Sequence, residues 1–284
     1  MQSCAIYLST GAAALASQVA ACAAQLPNVC VVDAFTDTAY ARSSVKIVGN
    51  TDRLLAAVRA ASIYALSAID LSQEPHPAPH PRCGAVDMIS FMPLSERKTS
   101  TLANDMAVCD KLAWDLGASL GAVGCYVLMY GARAQRTLVE TRRRTSFFSS
   151  VHRASKEVFS TLPCDFGAAN LQQRSGATIV GSQAYVTNFN IQITQGSLEA
   201  CKHAAARLRS ELGVQVMALP HSEGTIEIGC NLQATHDTDS PSTKCILDFI
   251  RPLLPGAQVL RSYVVGCTPS EALRRSEISL NLAT

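Results

Sequence analysis

Pro79-His80-Pro81-Arg82-Cys83-Gly84-Ala85-Val86-Asp87 sets an imidazole and a guanidinium two residues apart, between prolines, at the mouth of a strand. Proline fixes φ and restricts the residue before it, so His80 and Arg82 are held stiffly on a loop. A titratable base beside a fixed cation suits a substrate with a carboxylate and a reacting nitrogen. Histidine titrates near neutral pH, and arginine grips carboxylates in a forked geometry. By themselves the residues also allow plainer roles: His80 as a solvent-exposed loop histidine, Arg82 with Asp87 as a structural ion pair, Gly84 as the turn into the strand. His76 lies four residues upstream of His80, a metal-pair spacing on a helix. Pro75, Pro77, Pro79 and Pro81 exclude a helix there, which sets metal aside.

Outward from this loop the chain alternates. A strand is expected over residues 85–92. Before the loop, Leu54, Leu55, Val58, Ala61 and Leu66 keep a helical period over 51–69. Further back come strand-like 4–8, helical 12–25, and strand-like 30–32 and 45–48. After residue 92 a helix is expected over 99–118 and a strand over 125–129. Residues 131–175 have no steady period and read as a connector. The back half restarts with strand 184–193, helix 197–212, strands 214–219 and 225–232 around a turn at His221-Ser222-Glu223-Gly224, helix 240–254 and strand 259–265. The expected fold class is α+β: two ferredoxin-like α/β sandwich subdomains of order βαββαβ with a cleft between them. Residues 1–180, connector included, form the first and 181–284 the second.

The chain of 284 residues is 48% hydrophobic, enough for well-filled cores. Charged residues reach only 16%, which suggests a surface covered by a second subunit. A net charge of +2 argues against nucleic acid. The basic run Arg142-Arg143-Arg144 reads as a solvated face rather than an anion site. Eleven cysteines, none in a C-x-x-C spacing, read as free thiols in a reducing compartment. The cytoplasm is the expected location, with an organelle not excluded. No apolar run approaches the roughly 20 residues of a membrane span, and residues 12–25 read as a first helix rather than a leader.

Two further places carry polar side chains in unusual company. Gly167 and Gly176 bracket a loop holding Asn170, Gln172, Gln173 and Arg174. Glycines let backbone amides approach a flat ligand, and side-chain amides with Arg174 satisfy the hydrogen-bonding edge of such a ligand or a carboxylate. The loop also reads as an ordinary polar one. Asn188-Phe189-Asn190 puts two asparagines, rare in strands, into an apolar run. It is either a hydrogen-bonding row facing a cleft or a strand edge.

The stretch from His80 to Asp87 resembles the His-Pro-Arg-(Met/Leu)-Gly-(Ala/Val)-(Leu/Val)-Asp segment of the formiminotransferase family. These are folate-dependent enzymes that move a one-carbon group between tetrahydrofolate and glutamate. The resemblance extends along most of the chain. Cys4, Ser9 and Gly11 agree with the family's opening motif, and Asp33, Arg42, Val48 and Gly49 with the next. Asp165-Phe166-Gly167, Gly176-Ala177-Thr178 and Phe189-Asn190-Ile191 are similar to its folate-side region, and Val265-Gly266, Pro269 and Ala272-Leu273 to its end. The family's second aspartate falls on Phe35, and the asparagine before its arginine on Ala41. Residues 35–40 and 221–224 are more similar to the single-domain plant-type relatives.

The resemblance implies two α/β subdomains, usually in a homodimer, and a tetrahydrofolate derivative as substrate with no metal. It implies His80 as catalytic base and Arg82, Asp87, Arg42 and Asn190 as substrate-binding residues. Gly167, Asn170, Gln172, Arg174 and Gly176 would bind the folate. The implied partners are folate and a small amino-acid acceptor such as glutamate, with neither nucleic acid nor membrane. The expected function is transfer of a formimino or formyl group. The substitutions at Phe35 and in the opening motif carry the alternative, a relative that has lost catalysis and serves as a folate-binding or assembly protein.

Overall fold

A computed structural model describes residues 1–73, 78–94, 100–148, 158–234 and 239–281. His76, with Pro75 and Pro77, lies outside the described residues, as do Thr99 and part of the connector. Contacts divide the chain into one unit of Met1–Gln183 with Pro269–Thr284 and a second of Ala184–Thr268. Residues 269–284, expected in the back half, thus join the front one.

The first unit runs β1 (Gln2–Leu8), α1 (Ala13–Ala24), β2 (Val29–Asp37), β3 (Arg42–Gly49), α2 (Thr51–Ala68), β4 (Val86–Pro93), α3 (Ser100–Gly121), β5 (Tyr126–Tyr130), α4 (Leu138–Arg143) and β6 (Ala177–Ser182). Its sheet order is β2-β3-β1-β4-β6-β5. The strands β2, β3, β1 and β4 pair antiparallel, while β6 lies between β4 and β5 and is parallel to both. Side chains alternate across a strand, so Cys4, Ile6 and Leu8 of β1 face the helices. There they pack with Val19, Leu54, Val58, Leu112 and Leu116. Buried Ala16, Ala20 and Ala23 of α1 and Ala57, Ala61 and Ala65 of α2 keep those helix faces small.

The opposite sheet face has its own core of Met88, Tyr126, Leu128, Tyr130, Leu138, Phe147 and Ile179. The connector supplies its cover. Expected to lack regular structure, it contains α4 and a short 3-10 turn, Ser146–Phe148. The start of α4 is a capping box: the Thr137 hydroxyl accepts from the Glu140 N–H, and the Glu140 carboxylate accepts from the Thr137 N–H. β6 was also not expected. Its apolar run is short, and its pairing with β4 is remote in sequence.

The second unit runs β7 (Val186–Thr194), α5 (Leu198–Leu212), β8 (Gln215–Pro220), β9 (Ile226–Gln233), α6 (Thr243–Ile250) and β10 (Gln258–Val265), with sheet order β10-β7-β9-β8. The helix expected over 240–254 is shorter, and Arg251–Leu253 forms a 3-10 turn containing Pro252. Phe189, Ile191, Ile193, Ile226, Ile228 and Leu232 bury one sheet face against Ala204, Leu208, Ile246 and Ile250. Gly213, at φ 65°, closes α5 in the left-handed conformation that glycine adopts without strain. The final helix, α7 (Pro269–Asn281), packs on β2 of the first unit. Arg275 Nη1 donates to the Val32 carbonyl at 2.8 Å, where Val32 is the unpaired residue of a register shift. Proline at the first position and Glu271 in the first turn mark that helix start. Among the described residues no helix is long and apolar enough to cross a membrane.

Candidate active site

The site is built around a bulge. Tyr7 of β1 faces Met88 of β4 and Leu8 faces Val86, leaving Asp87 as the extra residue. A bulge bends the strand and re-aims its side chain. Asp87, 1% exposed, accepts from the N–H groups of Cys83 and Gly84 at 2.5 and 3.0 Å through Oδ1. Through Oδ2 it accepts from Arg42 Nη2 at 2.8 Å. Arg42 Nη1 donates to Ser9 Oγ at 2.6 Å, and that hydroxyl donates to the Gly84 carbonyl at 2.7 Å. The circuit returns to the loop it started from. Burial pushes the Asp87 carboxyl up, but Arg42 and the two N–H groups outweigh it and hold the group below the usual range. Gly84 has a steric reason: a Cβ there would sit 2.1 Å from the Ala177 carbonyl oxygen. Arg42 and Asp87 thus lock the segment that carries His80.

His80 is half-buried. Its Nδ1 lies 2.8 Å from the Pro81 carbonyl oxygen. A carbonyl only accepts, so Nδ1 carries the hydrogen and Nε2 the lone pair. Tyr40 lies at a centroid distance of 5.5 Å, and Phe147 meets the ring edge-on at 6.1 Å. Burial first, then the charge of Arg42, lower the His80 pKa to about 3, with Arg142 adding in the same direction. The ring is therefore neutral at physiological pH.

Arg142 corrects an expectation. Arg143 and Arg144 are exposed, but Arg142 is half-buried, so the run is not one solvated face. Leu138, Thr141 and Arg142 stand at i, i+3 and i+4 on α4, and Leu138 and Thr141 are buried. The Arg142 guanidinium lies 4.4 Å from the Phe147 ring centroid, and its Nη2 is 3.2 Å from Met88 Sδ. Its Nε is buried and makes no hydrogen bond among the described residues. An orphaned donor of this kind costs about 1–3 kcal/mol. The capping-box spacing and the period from Leu138 were the signals in the sequence that pointed inward.

The other expected residues are dispersed. Arg82 is 6% exposed, and its carbonyl accepts from Ser146 Oγ at 3.3 Å. Gly167 and Gly176, at φ 101° and 65°, approach strand backbone: added Cβ atoms would lie 1.7 Å from the Cys125 carbonyl oxygen and 2.4 Å from that of Cys83. Arg174 Nη2 donates to the Ser67 carbonyl at 2.7 Å, and the guanidinium lies 3.7 Å from the Asp70 carboxylate, tying the loop to the end of α2. The Gln172 carbonyl accepts from the Gly176 N–H at 2.8 Å, while the Asn170 and Gln172 side chains are exposed. Asn190 belongs to the second unit, where its Nδ2 donates to Glu227 Oε1 at 2.8 Å.

A neutral imidazole with a lone pair on Nε2, in the field of two guanidinium groups, can take a proton and attract a carboxylate. Comparison with known proteins covers this unit and most of the chain. Residues 1–183 match the formiminotransferase domain, N-terminal subdomain. A formiminotransferase cyclodeaminase-like protein of Arabidopsis thaliana is 30% identical over 272 residues, 90% of this chain and 89% of that protein. Proteins named glutamate formimidoyltransferase, from Thermoplasma acidophilum and Streptococcus pyogenes, are 27% and 22% identical over 88% and 89% of this chain, and over 82% and 83% of their own lengths. The braced His-Pro-Arg loop and these matches lead to one conclusion: the chain belongs to the formiminotransferase family.

Proposed function

We propose that this protein catalyses folate-dependent transfer of a formimino group between tetrahydrofolate and glutamate. The single observation that carries the reading is His80, neutral, with Nδ1 pinned to the Pro81 carbonyl, in a loop braced by Arg42 and Asp87. In the direction of transfer to glutamate, the amine nitrogen attacks the formimino carbon. His80 Nε2 takes a proton from that amine as the new nitrogen–carbon bond forms. The bond from that carbon to the folate nitrogen then breaks, and the proton passes to the departing nitrogen. General acid–base work of this kind is worth typically ~10²–10⁴-fold, and orienting two bound substrates supplies the rest. The formyl group is the alternative cargo for the same geometry.

We carry Arg82, Asn190 and the exposed Asn170 and Gln172 forward as ligand contacts; Gly167, Gly176 and Arg174 would act by holding their loop in shape. Asp87 and Arg42 would act by placing His80. The order and sheet arrangement β1 to β4, repeated in β7 to β10, support reading both units as ferredoxin-like sandwiches. Sparse charge and Leu260, 59% exposed on the sheet-edge strand β10, support a homodimer. Eleven free cysteines, most of them buried, support a reducing compartment such as the cytoplasm.

Phe35, at the family's second aspartate, favours a second reading, a folate-binding or assembly protein without catalysis. One experiment separates the two. Transfer from 5-formimino-tetrahydrofolate to glutamate is measured beside folinate binding, for the natural chain and for His80→Ala. The enzymatic reading expects transfer that falls by about 10²–10⁴-fold in the variant, with folinate binding kept. Binding without transfer in the natural chain selects the second reading, and absence of both removes the two together.

A further inference from the structure

We propose that Arg142 is the receptor for the acceptor's carboxylate, and that through it the site selects acceptors carrying a carboxylate next to the reacting amine. The proposal rests on the transfer reading above and adds a specificity-determining residue to it.

The placement comes first. One phenyl ring, Phe147, carries the Arg142 guanidinium over its face and meets the His80 imidazole, and the Arg142 charge reaches that imidazole. The 3-10 turn and α4 hold that ring and that guanidinium on the same sheet face as Met88.

The unused capacity comes second. Nε of Arg142 has no hydrogen bond, and no carboxylate lies within ion-pair distance of Arg142 among the described residues. Asp87 does not serve, since its oxygens are taken by Arg42 and by the Cys83 and Gly84 N–H groups. A planar guanidinium offers a fork of N–H donors that matches a carboxylate, and a ligand oxygen that draws this one round relieves the orphaned Nε.

The identity of the carboxylate follows from the substrates' own chemistry. In an α-amino acid the carboxylate sits on the carbon that bears the amine, so a receptor beside the base receives it when the amine reaches Nε2. The glutamyl tail of a folate lies across an aromatic ring from the reacting nitrogen. A receptor beside the base therefore suits the acceptor.

A consequence follows for the base. The charged and titratable groups around His80 are Arg42 from β3, Asp87 from β4, Arg142 from α4, and Tyr40 from the loop before β3. Arg42 and Arg142 both press the imidazole toward its neutral form. A carboxylate seated on Arg142 offsets that charge, so His80 becomes a stronger base as the acceptor arrives.

The test uses the full chain, with Arg142→Met and Arg142→Lys. Glutarate, a dicarboxylate without an amine, is titrated while the His80 ring is followed by NMR. The expected result is glutarate binding that raises the His80 pKa in the natural chain and does neither in Arg142→Met. The KM for glutamate should rise in that variant by about 10- to 100-fold, the range for losing a hydrogen bond to a charged group. Folinate binding should stay within about twofold, and Arg142→Lys should recover part of the loss as a charge without the fork. If the methionine variant does not fold, the lysine variant alone decides by its KM. An unchanged KM for glutamate overturns the proposal, even with a lowered melting temperature. So does a loss of affinity for folinate that disappears with 5-formyltetrahydropteroate, which lacks the tail. Should the natural chain bind glutarate through Arg142 but transfer nothing, the transfer reading falls and the receptor stands.

Discussion

Strands β2-β3-β1-β4 of the first unit and β8-β9-β7-β10 of the second occur in corresponding order, yet the sheet faces opposite α1–α3 and opposite α5 and α6 carry opposite polar chemistry. In the second unit that face is a closed ladder. Asn188 donates to Asn231 at 2.7 Å, and Asn190 and Tyr263 donate to the two oxygens of Glu227 at 2.8 and 2.5 Å. Gln192 donates to Thr225 at 2.7 Å and accepts from Arg261 at 2.6 Å. In the first unit the Asp87 circuit is closed, but other buried polar atoms of the unit are not. Among the described residues the buried side-chain atoms without a hydrogen bond are Ser3 Oγ and Arg142 Nε, both in this unit. A satisfied buried network specifies a fold, whereas an unsatisfied donor asks for an explanation. The contrast separates polar groups that hold the protein together from groups left for a ligand.

The largest effect should come from opening the closed circuit of the first unit. Arg42→Met leaves the Asp87 carboxylate buried with only backbone donors. Breaking a buried pair by removing one partner costs about 3–5 kcal/mol, read from the urea midpoint. A loss below about 1 kcal/mol would place the pair among weak surface bridges and remove the brace from under His80.

A smaller effect belongs to the second unit. Glu227→Gln replaces one of two acceptor oxygens, each engaged by a donor, with an amide NH2 that donates and cannot accept. Leaving a buried donor unsatisfied costs about 1–3 kcal/mol. Calorimetric melting measures it. If the ladder is structural, folinate binding does not change; a lost folinate response would mark Asn190 as the ligand contact expected from the sequence.

How much of this was legible follows the range of the interactions. The strand-like run over 4–8 and the helical period from Leu54 are local, and both elements were read from them. The stiffness expected of the His80 loop rests on local reasoning, since prolines act on their own neighbours, and the Arg42–Asp87 brace that supports it is a tertiary fact. Arg142 was legible only through the Thr137–Glu140 spacing and the period from Leu138, because an arginine triplet by itself looks solvated until α4 is seen to lay Leu138 and Thr141 against the sheet. β6 was not, because its parallel partners β4 and β5 are distant along the chain. Gly167 and Gly176 were visible as glycines, but that they close on the Cys125 and Cys83 carbonyls is a tertiary fact. Sequence named the chemical groups, and packing decided which of them are already occupied.

The smallest predicted effect tests the open side of the comparison by pH. An unfolded histidine has its usual value of 6.5, whereas burial and Arg42 hold folded His80 at about 3. Above 6.5 both states are neutral there, and His80 adds no pH dependence. As the pH falls below 6.5 the unfolded chain takes up a proton that the folded site refuses, so stability declines until the folded value is reached. Carboxylates such as Asp87, whose folded values are lowered, lose their share near and below ~4. The interval from about 6.5 to 5 is therefore where the histidine term stands apart from them. Urea midpoints measured across that interval should fall with pH in the natural chain and fall less in His80→Gln. Saturating glutarate should also flatten the slope if a carboxylate on Arg142 raises the folded value, and that flattening should vanish in Arg142→Met. An equal slope in all four measurements would mean that His80 already titrates as in the unfolded chain, and that Arg42 and Arg142 do not set its charge.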